Sequence, residues 1–285
     1  AHHVTVKVVL NSSTGKYEVQ SVTLPNGGIV FNNVYRPAAA TVQLSGTKIL
    51  TGRDLKDGEF EFVATDAENN KIPVVNEGNT FTFPTFEFST VGTYTYTVTE
   101  TKGTAGGVTY DESSFLVTIT VTDNGNGKLV ATVAYSKDGV SSTGLSFRNT
   151  YAAASLDLSF AVEKDLDGRT QNAEEFKFEL TNALTGKLLD TAFNAGNGTV
   201  TFDPVTVHAA GNYHYRISEV DTGLGGVTYD HGLYDILITV TDNGEGQLVE
   251  SSRIIKKDGV DQNSSTVVFS NRYEVADAQL TFEGN

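Results

Sequence analysis

Phe31-Asn-Asn33-Val-Tyr35, Phe147-Arg-Asn149-Thr-Tyr151 and Phe269-Ser-Asn271-Arg-Tyr273 are three versions of one five-residue pattern, and its reading decides the fold. Side chains in a strand alternate between faces, so Phe, Asn and Tyr at spacing two share one face. The two aromatics predict that this face seeks a core, carrying the amide inward. A buried amide without a partner costs roughly 1–3 kcal/mol. Each asparagine is therefore expected to have a dedicated polar partner.

Outward from these strand ends the chain repeats itself. Before Tyr151 runs Val-Thr-Ile-Thr-Val-Thr-Asp123-Asn-Gly-Asn-Gly127-Lys-Leu, and before Tyr273 runs Ile-Leu-Ile-Thr-Val-Thr-Asp242-Asn-Gly-Glu-Gly246-Gln-Leu. Asn-Gly between alternating apolar runs is a strong hairpin signal. These turns bear a faint likeness to calcium loops, but the downstream bidentate glutamate is missing and a plain hairpin turn is expected. Further upstream, Gly52-Arg-Asp-Leu with Gly58-Glu-Phe-Glu-Phe62 answers to Gly168-Arg-Thr-Gln with Glu174-Glu-Phe-Lys-Phe178. Gly106-Gly-Val-Thr-Tyr-Asp111 answers to Gly225-Gly-Val-Thr-Tyr-Asp230. Repetition at this period marks a tandem array.

The expected organisation is a C-terminal part of a preceding repeat over 1–36, full repeats over 37–151 and 152–273, and the first strand of a following repeat over 274–285. Short junctions, Pro37-Ala-Ala-Ala40 and Ala152-Ala-Ala154, imply stiff end-to-end stacking. Many short strands and almost no helical periodicity make each repeat an immunoglobulin-like β-sandwich, so the fold class is all-β. The segment Asn172 to Phe176 leaves room for one isolated helical turn.

Composition agrees and narrows the function. The 285 residues contain no Cys, Met or Trp, which removes disulfides as staples. A formal net charge of −15 without a Lys/Arg cluster argues against nucleic-acid or anionic-membrane partners. No apolar run approaches the roughly 20 residues of a membrane span. The histidines His2, His3, His208, His214 and His231 lack metal-ligand spacing, His214 is expected to be exposed, and no metal or cofactor is expected. Nucleophile elbows, phosphate loops and zinc-enzyme motifs are absent from the sequence.

Strand parity then exposes three inward polar residues per repeat. Val42, Leu44, Gly46, Lys48 and Leu50 share one face; so do Leu156, Leu158, Phe160, Val162, Lys164 and Leu166. On a middle strand, Tyr94, Tyr96, Val98 and Glu100 match Tyr213, Tyr215, Ile217 and Glu219. Each repeat thus carries an inward Lys, Glu and Asn, on its first, a middle and its last strand. Burial lowers an amine pKa and raises a carboxyl pKa, which can leave both neutral. A neutral amine is a nucleophile, and a protonated glutamate beside an amide can polarise its carbonyl and carry a proton to the departing nitrogen. An ordinary buried ion pair, with the asparagine hydrogen-bonded to both groups, satisfies the same parity without any covalent step.

These runs, in this order, resemble the pilin isopeptide-linkage repeats of Gram-positive surface proteins of the streptococcal major-pilin T-antigen type. The resemblance rests on Lys48-Ile-Leu-Thr-Gly-Arg-Asp-Leu, Gly92-Thr-Tyr-Thr-Tyr-Thr-Val-Thr-Glu100, Gly107-Val-Thr-Tyr-Asp111 and Phe147-Arg-Asn149-Thr-Tyr151. It implies a self-formed Lys–Asn bond with a glutamate catalyst, in an extracellular, cell-wall-attached shaft. Carried over, Lys48, Glu100 and Asn149 form one set and Lys164, Glu219 and Asn271 the other. Asn33 matches the motif without a preceding Lys or Glu and is expected to stay unbonded. Such a chain turns over no external substrate, and its partners are neighbouring repeats of the same or an adjacent chain. Ligand-binding adhesin activity through loops Thr101 to Gly107 or Asp221 to Gly226, directed at a host glycan or matrix protein, is the alternative.

Overall fold

The computed structural model describes residues 3–26, 28–275 and 277. Among them there is no helix, and the chain forms two tandem all-β domains preceded by a hairpin. The first domain has a four-stranded sheet in the order Val108–Thr109, Leu145–Tyr151, Ser45–Thr51, Thr80–Thr82. Facing it is a six-stranded sheet running Val140–Ser142, Leu129–Lys137, Ser114–Asp123, Gly92–Glu100, Glu61–Asp66, Lys71–Val75. The second domain repeats both sheets, with Ala161–Asp167 beside Val267–Tyr273 in the smaller and Gly211–Val220 beside Tyr234–Asp242 in the larger. A two-stranded pair extends each domain: Ala40–Val42 with Phe86–Phe88, and Leu156–Leu158 with Val205–Val207.

Alternation explains the layers. Ser114–Asp123 buries Phe115, Val117, Ile119 and Val121, while Tyr234–Asp242 buries Tyr234, Ile236, Ile238 and Val240. Each set points at the smaller sheet, where Phe147 or Phe269 is fully buried. Phe62 stacks on Phe81 with centroids 3.8 Å apart, and Phe147 lies 5.2 Å from Phe62 and 5.0 Å from Phe115. In the second domain Phe269 packs against Phe178 at 5.4 Å and Tyr234 at 5.0 Å. The Phe of the five-residue pattern is therefore the centre of each core.

One pairing sets the mechanics of the fold. The strand that opens each domain's smaller sheet and the strand that closes the domain lie side by side and parallel: Ser45–Thr51 with Leu145–Tyr151, and Ala161–Asp167 with Val267–Tyr273. Among the described residues, all other strand pairs are antiparallel. Residues from opposite ends of a domain thus become neighbours: Lys48 is level with Phe147, and Leu50 with Asn149. The second copy keeps this register, Lys164 with Phe269 and Leu166 with Asn271.

Three expectations are corrected. Phe31 to Tyr35 is not a strand, and Phe31, Asn33 and Tyr35 are exposed, since no neighbouring strand of the described residues supplies the sheet and facing core that bury the later copies. No helical turn forms around Asn172 to Phe176. Instead Ala173 and Glu174 make a turn, with Glu174 at φ 59°. His214, on the strand face opposite Tyr213 and Tyr215, is half-buried rather than exposed. Of 274–285, expected to be the first strand of a following repeat, residues 276 and 278–285 lie outside the described residues.

The Phe cluster generates a stability prediction. Phe62→Ala should cost about 3–5 kcal/mol, the usual range for emptying an aromatic site in a close-packed core, measured by denaturant unfolding. A loss below about 1 kcal/mol, the size of a single methylene, would contradict the packing described.

Candidate functional site

The parallel strand pair and the larger sheet bring one lysine, one glutamate and one asparagine into contact in each domain. Lys48 lies on Ser45–Thr51, Glu100 ends Gly92–Glu100, and Asn149 lies on Leu145–Tyr151. Lys48 Nζ donates to Glu100 Oε2 at 2.6 Å, and Asn149 Nδ2 donates to Glu100 Oε1 at 2.6 Å. The side chains of Lys48 and Glu100 are 0% exposed, and Asn149 is fully buried. In the second domain Lys164 Nζ lies 3.3 Å from Glu219 Oε2 and from the Phe269 carbonyl, and Asn271 Nδ2 donates to Glu219 Oε1 at 2.7 Å. Asn33, by contrast, is exposed and has no such neighbours among the described residues.

The surroundings are aromatic. Lys48 Nζ sits 4.4 Å from the Phe60 centroid, and Lys164 Nζ sits 4.7 Å from that of Phe176. Desolvation pushes both lysine pKa values down, against the raising influence of the glutamate beside each. The same burial pushes Glu100 and Glu219 up, against the lowering influence of the lysine and asparagine. Both shifts move the pair toward a neutral amine and a neutral acid, the state in which an amine can attack. The glutamate bridges amine and amide nitrogen through its two oxygens, so a proton taken from one can be handed to the other.

The fourth member of the site is a backbone group. Asp111 N–H donates to Asn149 Oδ1 at 2.7 Å, and Asp230 N–H donates to Asn271 Oδ1 at 2.8 Å. The donor is held by its own carboxylate: Asp111 accepts from Ser113 N and Arg148 N, and Asp230 from Gly232 N, Ser270 N and Lys257 Nζ. The Gly-Gly-Val-Thr-Tyr-Asp repeat contained this signal, yet a main-chain donor has no residue type to announce it. Asn76 and Asn194, both buried, lie outside the matched sequence motifs. Their Oδ1 atoms accept from Phe60 N at 2.8 Å and Phe176 N at 2.7 Å, which fixes the aromatic ring that each lysine faces.

Comparison with known proteins follows the same division of the chain. The sequence matches the family FctA, described as a Spy0128-like isopeptide containing domain, over residues 44–152 and again over 160–274. Among solved structures, the major pilin from Streptococcus pyogenes is 18% identical, with 83% of this chain and 99% of that chain covered and a TM-score of 0.32. The T-13 major pilin from the same species is 16% identical, covering 84% and 100%, with a TM-score of 0.34. The pilus adhesin SpaC from Lactobacillus rhamnosus GG is 12% identical over 97% of this chain and 34% of that chain, with a TM-score of 0.30. No curated protein matches significantly in sequence. Two matches in tandem span well over half of the chain, and the chain therefore belongs to the FctA family of Spy0128-like isopeptide containing domains.

Proposed function

We propose that each repeat forms an intramolecular isopeptide bond, Lys48 to Asn149 and Lys164 to Asn271, and that the chain is part of a shaft on the surface of a Gram-positive bacterium. The observation that carries this reading is the glutamate held between an amine and an amide nitrogen in a water-excluded core, in two domains with the same register. The neutral Nζ attacks Cγ of the asparagine. The Nζ–Cγ bond forms, the Cγ–Nδ2 bond breaks, and ammonia leaves. Glu100 or Glu219 takes the proton that Nζ loses and returns it to Nδ2, ending as it began. The N–H of Asp111 or Asp230 points at the oxygen on which negative charge develops. Fixed neighbours of this kind reach effective molarities of about 10⁵–10⁸ M, so one slow turnover per domain needs no other catalyst.

Covalent closure suits a load-bearing role. A pull on the chain termini would shear the parallel first and last strands along their length; an isopeptide bond between them carries that load and leaves the roughly 100 residues of the closed loop untensioned. By analogy with disulfides, closing such a loop stabilises by about 4–5 kcal/mol, and slow unfolding and resistance to proteolysis follow. Without cysteines the chain cannot use oxidative cross-links, which fits a location on the bacterial surface, attached to the wall. The loop from Thr101 to Gly107 supports the shaft over an adhesin site, because Gly106 and Gly107 press against Glu245 and Gly246 of the following domain and are not free to recognise a ligand.

Two predictions test the chemistry. The intact chain should weigh two ammonia molecules less than its sequence; Glu100→Ala or Lys48→Ala should restore one, and Glu219→Ala the other. An unreduced mass in the native chain sinks the reading. Asp111→Pro, which removes the N–H donor, should slow closure of the first domain by about 10²–10³-fold, the usual loss of one oxyanion donor. Asp111→Asn keeps the N–H and should stay near the native rate. The untouched second domain of the same chain is the internal reference in time-resolved intact mass measurement, and equal closure rates for both variants would remove the backbone donor from the mechanism.

A further inference from the structure

The third residue of interest in the five-residue pattern, its closing tyrosine, takes no part in the buried site. Tyr151 leaves the first domain and donates its hydroxyl to Asp242 Oδ1 at 2.6 Å, while Gly246 N–H donates back to that hydroxyl at 2.9 Å. Both partners belong to the Asp-Asn-Gly-Glu-Gly turn of the second domain. Three residues on, Ala154 N–H donates to the Gly246 carbonyl at 2.9 Å, in a one-residue parallel bridge with Gln247.

The same joint occurs upstream. Tyr35 donates to Asp123 Oδ1 at 3.0 Å and accepts from Gly127 N–H at 3.0 Å. Ala38 N–H donates to the Gly127 carbonyl at 2.9 Å, and Leu129 N–H to the Ala38 carbonyl at 2.9 Å. Tyr-x-x-Ala on one side and Asp-Asn-Gly-x-Gly on the other are thus matched twice, with identical spacing and with the tyrosine hydroxyl, glycine N–H and alanine N–H as shared donors.

Around Tyr151 the first domain adds a wall. Arg53 stacks on the ring 4.9 Å from its centroid and pairs with Glu59. Gly107, at φ 75°, comes so close that a Cβ would lie 2.8 Å from the ring and 2.8 Å from Gly246 Cα. Only glycine fits both the conformation and the gap. Tyr151 is left 6% exposed, and its pKa is raised by burial and by the Asp242 carboxylate.

Tyr273 has the same wall without the turn. Arg169 stacks 4.7 Å from its centroid, Gly226 at φ 77° backs the ring, and Glu274 N–H bonds the Gly226 carbonyl as Ala152 N–H bonds Gly107. The sequence continues Tyr273-Glu-Val-Ala276, again Tyr-x-x-Ala. Yet Tyr273 is only half-buried, and its hydroxyl has no hydrogen-bond partner among the described residues.

We infer that the Asp-Asn-Gly-x-Gly turn of each repeat is a docking socket for the tyrosine closing the repeat before it, and that Tyr273 presents the matching half to the corresponding turn of another repeat. The occupant is set by chemistry: a carboxylate to accept the phenol, a main-chain N–H four residues later to donate to it, and glycines that let two backbones approach. The inference deepens the shaft reading, since the socket would fix the angle between successive covalently closed domains.

Nitration by tetranitromethane, mapped by mass spectrometry on the full chain, tests it. Tyr273 should react about tenfold faster than Tyr151, the protection expected of a charge-assisted hydrogen bond, and Asp242→Ala should raise Tyr151 to the Tyr273 rate. Residual dipolar couplings should give both domains one shared alignment in the native chain and separate alignments in Tyr151→Phe, which keeps the ring and loses only the hydroxyl. Equal native nitration of the two tyrosines, or a shared alignment that survives Tyr151→Phe, overturns the socket. Neither variant touches the buried lysines, so the ammonia deficit should persist in both, and its absence would indict the cross-link and leave the socket standing.

Discussion

Everything in this molecule depends on holding an amine and a carboxylic acid in a phenylalanine core with only an amide between them and neutrality. A lysine and a glutamate at 2.6 Å, both fully desolvated, are costly to bury as ions, because desolvation offsets much of their mutual attraction. Around the pair the core places aromatic faces, one bridging carboxyl and one backbone N–H. A covalent amide between lysine and asparagine is neutral and satisfies the same geometry. The unfavourable electrostatics of the separated groups and the proposed reaction are therefore two descriptions of one site.

The parallel pairing of the first and last strands gives this site its mechanical meaning. The other neighbour of the Lys48 strand is Thr80–Thr82, where a bond would close a much shorter loop. Pairing with the last strand places Lys48 level with Phe147 and within reach of Asn149, so that the proposed bond would span nearly the whole repeat. The Phe at the centre of each closing strand explains why the register does not slip: moving Leu145–Tyr151 by one residue would turn Phe147, Asn149 and Tyr151 to solvent together.

Outside the cores, the same closing strand ends in the tyrosine that meets the next domain. One short pattern thus contributes a core residue, a buried amide and an inter-domain contact, each at spacing two. The exposed first copy, Phe31 to Tyr35, separates these contributions: its Phe and Asn join no sheet among the described residues, yet Tyr35 still engages the Asp123 turn.

Period-two alternation and a domain-length repeat were enough to read all-β architecture, tandem organisation and the inward faces carrying Lys48, Glu100, Asn149 and their counterparts, because those are properties of the chain's own periodicity. Parity could say that three polar groups faced inward; it could not say that they met, since meeting depends on the parallel register and on the stacking of two sheets. The N–H of Asp111, the asparagines Asn76 and Asn194 that anchor the facing rings, and the Tyr151 socket were legible only in three dimensions. They act through main-chain groups and through residues distant in sequence, and neither leaves a mark in local spacing. The copy at Phe31 to Tyr35 makes the same point in reverse, for an inward-facing pattern buries nothing until a second sheet exists to cover it.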